Sequence, residues 1–112
     1  MQATFSSFTT EAEAIAELEA AGYQHMTIDF PAEANDTHWH DFDATIYILD
    51  GSVELTDGVT GEATLCTAGS KVSAPAGCLH RETTDGYRAI IGVSIAPENI
   101  TEPVNKPPPV TL

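Results

Sequence analysis

The sequence predicts a single all-β domain preceded by one short amphipathic helix. Three observations lead to this fold class. The chain has 112 residues, the length of one domain, and 42% of them are hydrophobic, which is enough for one modest core. After Gly22, short β-rich runs and Asp-Gly pairs follow one another with no second helical pattern. Short strands at near-regular spacing are typical of a small antiparallel barrel or sandwich.

The helix is predicted between Thr10 and Gly22. Thr10 followed three residues later by Glu13 is typical of a capping box, and a glycine commonly ends a helix in the left-handed conformation. The apolar stripe of this segment is formed by Ala14, Ile15, Leu18 and Ala21, with glutamates opposite. These signals predict one amphipathic helix of about three turns.

Five strands are predicted after the helix. They cover residues 24–30, ending at Pro31, and residues 44–49, 52–56, 63–66 and 88–95. Asp-Gly pairs, the strongest short-range signal for a hairpin turn, separate these runs at 50–51, 57–58 and 85–86.

The expected organisation is one domain in three parts. Residues 1–22 form an N-terminal extension and the helix, and residues 23–96 form the β-structure. Residues 97–112 carry five of the seven prolines. Because proline cannot join a central strand, this last segment is expected to be an extended strap or a loose tail.

The charge is strongly acidic, with 17 Asp and Glu against 4 Lys and Arg and a net charge of −13. Such a field repels nucleic acid and anionic membrane surfaces, so neither is expected as a partner. No apolar run approaches the length of a membrane span, and the first residues lack a basic region followed by an apolar stretch. We therefore expect no membrane span, no signal peptide and a cytoplasmic protein. Cys66 and Cys78 fit no paired metal or redox spacing and are expected to be packed residues.

The chemistry of the chain is expected around His38-Trp39-His40. Two residues apart on an extended segment, both imidazoles point the same way and can share one ion. The same pattern also fits two surface histidines that flank a packed tryptophan. This pair alone leaves both interpretations open.

The wider pattern around the pair resembles the cupin superfamily. The first cupin motif is His-x-His, three or four residues, Glu, six residues and Gly; the second is Gly, five residues, Pro-x-Gly, two residues and His. The residues that match these motifs are His38, His40, Gly51, Gly69, Pro75, Gly77 and His80. The likeness runs from Tyr23 to Ile95 and is strongest to small one-domain cupins that read His-x-His-Asp-Phe-Asp-Ala.

The resemblance implies a cupin-type jelly-roll β-barrel with one divalent transition metal inside it. His38, His40 and His80 map onto the three imidazole ligands, and Fe, Mn, Ni, Zn, Co or Cu suits such a set. Small cupins commonly dimerise through sheet edges, so the resemblance also implies a homodimer.

The chain departs from the family at Ala44, where the pattern expects a carboxylate ligand. Glu82 lies two residues from His80, on the same face of a strand, and is a candidate replacement. It is expected to be either a fourth metal ligand or a hydrogen-bond partner of a ligand histidine. Asp41 and Asp43 are out of phase with the histidines, so we expect them to cap backbone amides or orient an imidazole, and a ligand role for either is the less favoured alternative. A metal-bound water in place of the missing carboxylate stays open as a further alternative.

Two functions are consistent with this pattern. The first is a metal-dependent enzyme that acts on a small polar molecule inside the barrel by dioxygenation, isomerisation or hydrolysis, with Glu82 as fourth ligand or general base. The second is a non-catalytic cupin that binds or senses a small ligand, with a structural metal or none. The intact histidine trio favours the first function, and Ala44 favours the second.

Overall fold

The computed structural model describes residues 2–109 and shows one short helix and an antiparallel sheet. The elements are β1 (Thr4–Ser7), α1 (Glu11–Ala20), β2 (Gln24–Ala34), β3 (Ala44–Asp57), β4 (Ala63–Thr67), β5 (Ser70–Ala74), β6 (His80–Val93) and a 3-10 turn (Pro97–Asn99). This composition confirms the predicted mostly-β class with its N-terminal helix. Among the described residues, no helix has the length and apolar character needed to cross a membrane.

The ends of α1 are formed as the sequence predicts. The Thr10 side chain accepts a hydrogen bond from the Glu13 amide at 3.1 Å, which satisfies one of the free N–H groups of the first turn. Gly22 has a φ of 75°. Its amide and that of Tyr23 donate back to the carbonyls of Glu19 and Leu18 at 3.0 and 2.9 Å. This is the Schellman arrangement that ends a helix at a left-handed glycine.

The six strands form one sheet in the order β1-β5-β3-β6-β2, with β4 beside the second half of β3. All of the pairings are antiparallel. Within the described residues, β1 and β2 are edge strands, each with a single partner, and they do not pair with each other. The predicted closed barrel is therefore wrong in this respect, because the sheet curls around a cavity without joining its two edges.

Two of the three Asp-Gly pairs do not form the predicted turns. Residues 44–49 and 52–56 belong to one strand, β3, which runs through Asp50-Gly51 with irregular register on either side. Asp85-Gly86 likewise lies inside β6. Gly51 (φ 77°) and Gly86 (φ 125°) adopt conformations that favour glycine, and a Cβ on Gly51 would lie 2.5 Å from the Gly86 carbonyl oxygen. The two glycines therefore allow the long strands to bend against each other.

Other strand limits also differ from the prediction. β2 continues past Pro31 to Ala34 because it is an edge strand, where a proline removes no hydrogen bond from a second neighbour. β6 begins at His80 rather than residue 88, since its first half pairs with the end of β3. The short strands β1 and β5 were not predicted; neither has a strong period-two pattern.

The two faces of the sheet pack separately. On the convex face, α1 buries Ala14 and Leu18 against Tyr47 and Ile90. On the concave face, a second buried cluster surrounds a cavity and is formed by Ile48, Val53, Leu55, Cys66, Val72, Tyr87 and Ala89. Cys66 and Cys78 are buried free thiols, as expected for packed residues. At positions 44–48 of β3, the even-numbered side chains thus lie on the concave face and the odd-numbered ones on the convex face.

The Pro-rich segment is an ordered strap over residues 97–109. Trp39 and Lys106 form an antiparallel bridge, with amide-to-carbonyl distances of 3.1 and 2.9 Å. The Trp39 indole N–H also donates to the Pro107 carbonyl at 2.8 Å. These contacts hold residues 106 and 107 against the segment that carries Trp39; residues 110–112 lie outside the described residues.

Candidate metal centre

The segment that carries His38 and His40 lies between two partners. On one side, His38 and His80 exchange backbone hydrogen bonds at 2.8 and 3.0 Å, so the first residue of β6 lies directly opposite His38. On the other side, the intervening Trp39 pairs with the strap. The alternation of this extended segment turns both imidazoles toward His80, as the His-x-His spacing predicts.

The three imidazoles come together at the concave face. Their ring centroids are 4.4 to 5.2 Å apart, and a ligating nitrogen of each ring lies within 4.8 Å of the others. Among residues 2–109, His38, His40 and His80 form the one cluster of His, Cys, Asp or Glu side chains with this geometry. The structure therefore brings together the three histidines that the sequence singles out.

Each imidazole is oriented by a backbone carbonyl. The Nδ1 atoms lie 2.7, 2.8 and 2.9 Å from the carbonyl oxygens of Asp36, Val104 and Cys78, respectively. A carbonyl can only accept, so in each ring Nδ1 carries the proton and donates it. The Nε2 lone pairs are therefore free for a shared ligand, which is the arrangement that backbone partners commonly impose on metal-binding histidines.

Burial favours the neutral form of the His40 and His80 rings. His38 and His80 are buried and His40 is half-buried. Burial, with the neighbouring imidazoles adding to it, lowers the pKa of His80 to about 4. Burial also lowers the pKa of His40. Both rings are thus neutral at pH 7 and able to donate a lone pair.

This donor set fits a divalent first-row transition metal. Neutral imidazole nitrogens are preferred ligands of such ions, and three of them leave positions for a further ligand, water or substrate. The fit rests on the three Nε2 lone pairs, which face one another. Lone pairs in this arrangement repel unless they share a cation or a proton.

Glu82 lies beside this cluster. Its Oε1 is 3.7 Å from His80 Nε2, and 18% of its side chain is exposed. Burial raises the pKa of the Glu82 carboxyl group. The backbone amide of Glu82 donates to Asn35 Oδ1 at 2.7 Å, which joins β6 to the residue that follows β2. The position suits both expected roles, fourth ligand and partner of a ligand histidine.

The other acidic residues of the first motif have structural contacts. Asp43 Oδ1 accepts from the Ala76 amide at 2.7 Å, the amide-capping role expected for it. Asp41 accepts a hydrogen bond from the Thr101 hydroxyl of the strap at 2.5 Å. Ala44 is buried and lines the cavity, so a residue without ligating atoms occupies the position where the cupin pattern has a carboxylate.

Sequence reasoning missed the contribution of the strap. Val104 orients His40 through a backbone carbonyl, which no side-chain motif reveals. Lys106 Nζ donates to the carbonyls of Thr101 and Pro103 at 3.3 and 2.9 Å, and to the Thr101 hydroxyl at 2.8 Å. One feature of the sequence could have indicated this contribution: the Pro-rich segment contains Lys106, one of only four basic residues in the chain.

The histidines open into a cavity of about 520 Å³ on the concave face. This volume lies in the range of pockets that bind small organic molecules. The lining comes from the inner side of the sheet and from the strap, and it includes Glu82 as well as all three histidines. The histidine cluster therefore lies within a space that a small molecule can enter.

Comparison with known proteins identifies the fold. No protein-family model and no curated protein sequence matches the chain. In structure, it is similar to a DUF861 family protein of Thermotoga maritima, with a TM-score of 0.63 and 21% identity over 80% of this chain and 97% of that chain. It is also similar to an RmlC-like cupin from Shewanella frigidimarina, with a TM-score of 0.54 and 20% identity over 68% and 70% of the two chains.

A third similar structure is a protein with a double-stranded beta-helix domain from Klebsiella pneumoniae, with a TM-score of 0.52 and 21% identity over 69% of this chain and 70% of that chain. These likenesses confirm the resemblance stated from the sequence motifs. The chain has the fold of the cupin superfamily, a jelly roll of the double-stranded β-helix type.

Proposed function

We propose that this protein is a metal-dependent enzyme that acts on a small molecule in the concave cavity. One observation carries the proposal: three imidazoles, each with Nδ1 bound to a backbone carbonyl, present their remaining nitrogens to one another within that cavity. In the proposal, His38, His40 and His80 hold one divalent transition metal. When bound, such an ion supplies Lewis-acid polarisation, an activated water or redox chemistry, depending on its identity.

Glu82 is the proposed proton-transfer residue. Its carboxyl group lines the same cavity, and its raised pKa brings it nearer to neutral pH, where a general acid or base works best. The short distance to His80 also allows Glu82 to complete the ligand set in place of the carboxylate that Ala44 lacks. Both roles serve dioxygenation, isomerisation or hydrolysis, and the identity of the ion selects among them.

The alternative is a non-catalytic cupin that binds or senses a small ligand. Ala44 supports this function, because the chain lacks the carboxylate that the cupin pattern places there. In that case the affinity for the ligand survives removal of the metal, for example in a His40→Ala variant. In an enzyme, the same change removes metal and turnover together.

Metal content measured by plasma mass spectrometry tests the proposal. The protein is purified without a chelator or a metal-binding tag, and we expect about one equivalent of a transition metal per chain. His40→Ala should lose the metal, whereas His25→Ala, which removes an exposed histidine of β2 outside the cluster, should keep it. Less than about a tenth of an equivalent in the wild-type protein, even after reconstitution, would contradict the proposal and leave a ligand-binding protein.

We also propose that the protein is a homodimer joined through a sheet edge. The second edge of β2 has no partner strand within residues 2–109. A long unpaired edge favours association. Sedimentation velocity should show a dimer for the wild-type chain. A monomer mass for the wild-type chain would contradict this proposal.

A further inference from the structure

The lining of the cavity is mainly apolar. Three neighbouring strands of the sheet, β3, β6 and β2, supply much of it. The apolar side chains of these strands include Met26, Ile28, Phe30, Ile46, Ile91 and Val93. A wall of this kind binds the hydrocarbon part of a molecule by removing both surfaces from water.

The cavity has no cationic side chain. The chain has four Lys and Arg residues, all within the described part, and none of them lines it. Lys71 binds Glu17 of α1 on the convex face at 2.8 Å. Arg88 pairs with Asp29 at 3.2 Å, where both side chains are largely exposed.

The remaining two cationic residues are also directed elsewhere. Lys106 is committed to the Thr101 and Pro103 oxygens of the strap. Arg81 is exposed and lies between His80 and Glu82 on β6, so the alternation of the strand places its side chain on the opposite face from theirs. An anionic ligand therefore finds no ion-pair partner among the side chains of the cavity.

The charged residues that do line the cavity are acidic. Glu33 on β2 and Glu82 on β6 both line it. Asp57 and Glu62 lie at the β4 end of the lining. A carboxylate or phosphate on the body of a ligand would thus be desolvated next to groups of its own sign, and no side chain of the cavity supplies a cation that offsets this cost.

We propose that the substrate has an apolar body and no anionic group, with one uncharged hydroxyl or carbonyl oxygen directed to the three histidines. The part of this inference that concerns the polar end of the substrate rests on the proposed function, because the substrate oxygen needs the metal ion as its partner. It replaces the polar substrate expected from the sequence with a molecule of mainly hydrocarbon surface. Glu33 is the proposed specificity residue, since it places a negative charge on the cavity wall without being near enough to serve as a ligand in the histidine cluster.

A matched pair of probes tests this inference. 4-Phenylbutan-1-ol and 4-phenylbutyrate share one apolar body and differ in the charge of the terminal group. Binding to the metal-free protein is measured by isothermal titration calorimetry and by ligand-observed NMR, so that the side chains alone set the preference. We expect the alcohol to bind at least about tenfold more tightly than the carboxylate, because the latter carries a charge into a cavity without a cation.

Two charge-reversal variants locate the effect. Glu33→Lys should improve the affinity for 4-phenylbutyrate at least about tenfold, because it introduces an ion-pair partner into the cavity. Glu54→Lys makes the same change in net charge on an exposed residue of β3 outside the lining, and it should alter this affinity by less than about twofold. Circular dichroism of each variant confirms that it is folded.

The outcomes separate this inference from the proposed function. If the wild-type protein holds metal but binds 4-phenylbutyrate as tightly as the alcohol, or more tightly, the substrate class is wrong and the metal centre stands. If it holds no metal and still prefers the alcohol, the apolar, non-anionic class stands and the proposed enzyme does not. Equal responses to Glu33→Lys and Glu54→Lys would overturn the role of Glu33.

Discussion

Removing the strap should weaken metal binding without unfolding the sheet. A variant that ends at Ala96 lacks the Val104 carbonyl, which lies 2.8 Å from His40 Nδ1. It also lacks both strap partners of Trp39, at residues 106 and 107. His38 and His80 keep their own carbonyl partners, because these belong to residues 36 and 78. The loss therefore falls on one ligand of the three.

The size of the effect follows from this single lost orientation. Removing an outer partner of a metal-binding histidine typically lowers metal affinity by about ten- to hundredfold, or about 1.4 to 2.7 kcal/mol. A smaller drop is expected for Lys106→Met, which keeps Val104 but removes the ammonium group that donates to the Thr101 and Pro103 oxygens. Lys71→Met is the matched control, because its ammonium group contacts Glu17 on the opposite face.

Competition between the protein and a chromophoric zinc chelator at pH 7.5 measures these affinities, and circular dichroism reports whether each variant is folded. The expected order of zinc affinity is wild type and Lys71→Met, then Lys106→Met, then the truncated chain. A truncated chain that is folded and binds zinc as tightly as the wild type would refute the reasoning, since His40 would then be oriented without Val104.

Three further predictions concern the stability of the metal-free protein. Gly92→Ala places a Cβ against Leu18 Cδ2 in the contact between α1 and the sheet, so urea denaturation should show a loss of about 1 to 3 kcal/mol; an unchanged midpoint would contradict this packing. Tyr47→Phe removes the hydrogen bond that the buried tyrosine donates to Glu17 at 2.7 Å and should cost about 1 kcal/mol in the same assay. Because the pKa of His80 is lowered to about 4 in the folded state and is about 6.5 in the unfolded state, the unfolded state binds more protons between these values. The free energy of unfolding should therefore fall as the pH is lowered from about 6.5 to about 4, and His80→Gln should remove part of this slope.

The histidine cluster was predictable because its signal is local and periodic. His38 and His40 share a side through the two-residue repeat of an extended segment, and the likeness to the second cupin motif supplied His80. The helix was predictable for a similar reason: Thr10, Glu13 and Gly22 satisfy the ends of α1 by contacts within a few residues of the chain.

The bends of the sheet were not predictable from the same kind of signal. Asp50-Gly51 and Asp57-Gly58 have the same two residues, but the first lies inside β3 and the second begins the connection to β4. What distinguishes Gly51 is its contact with the Gly86 carbonyl, 35 residues further along the chain. An Asp-Gly pair allows a left-handed residue, and only the pairing of β3 with β6 decides whether that residue forms a turn or a bend.

The strap and the metal ion should also act on each other in the reverse direction. If docking of the strap through Val104 raises the affinity of His40 for the ion, binding of the ion must stabilise docking by the same factor, because the two equilibria are linked. Hydrogen exchange measures this at the amides of Trp39 and Lys106, which bond to each other's carbonyls. Saturating zinc should slow their exchange by about ten- to hundredfold, while the Tyr23 amide at the end of α1 should not change. If protein that is shown to bind zinc has the same exchange rates at Trp39 and Lys106 with and without the ion, the strap docks independently of the ion. The strap would then not increase the affinity of His40 for the ion.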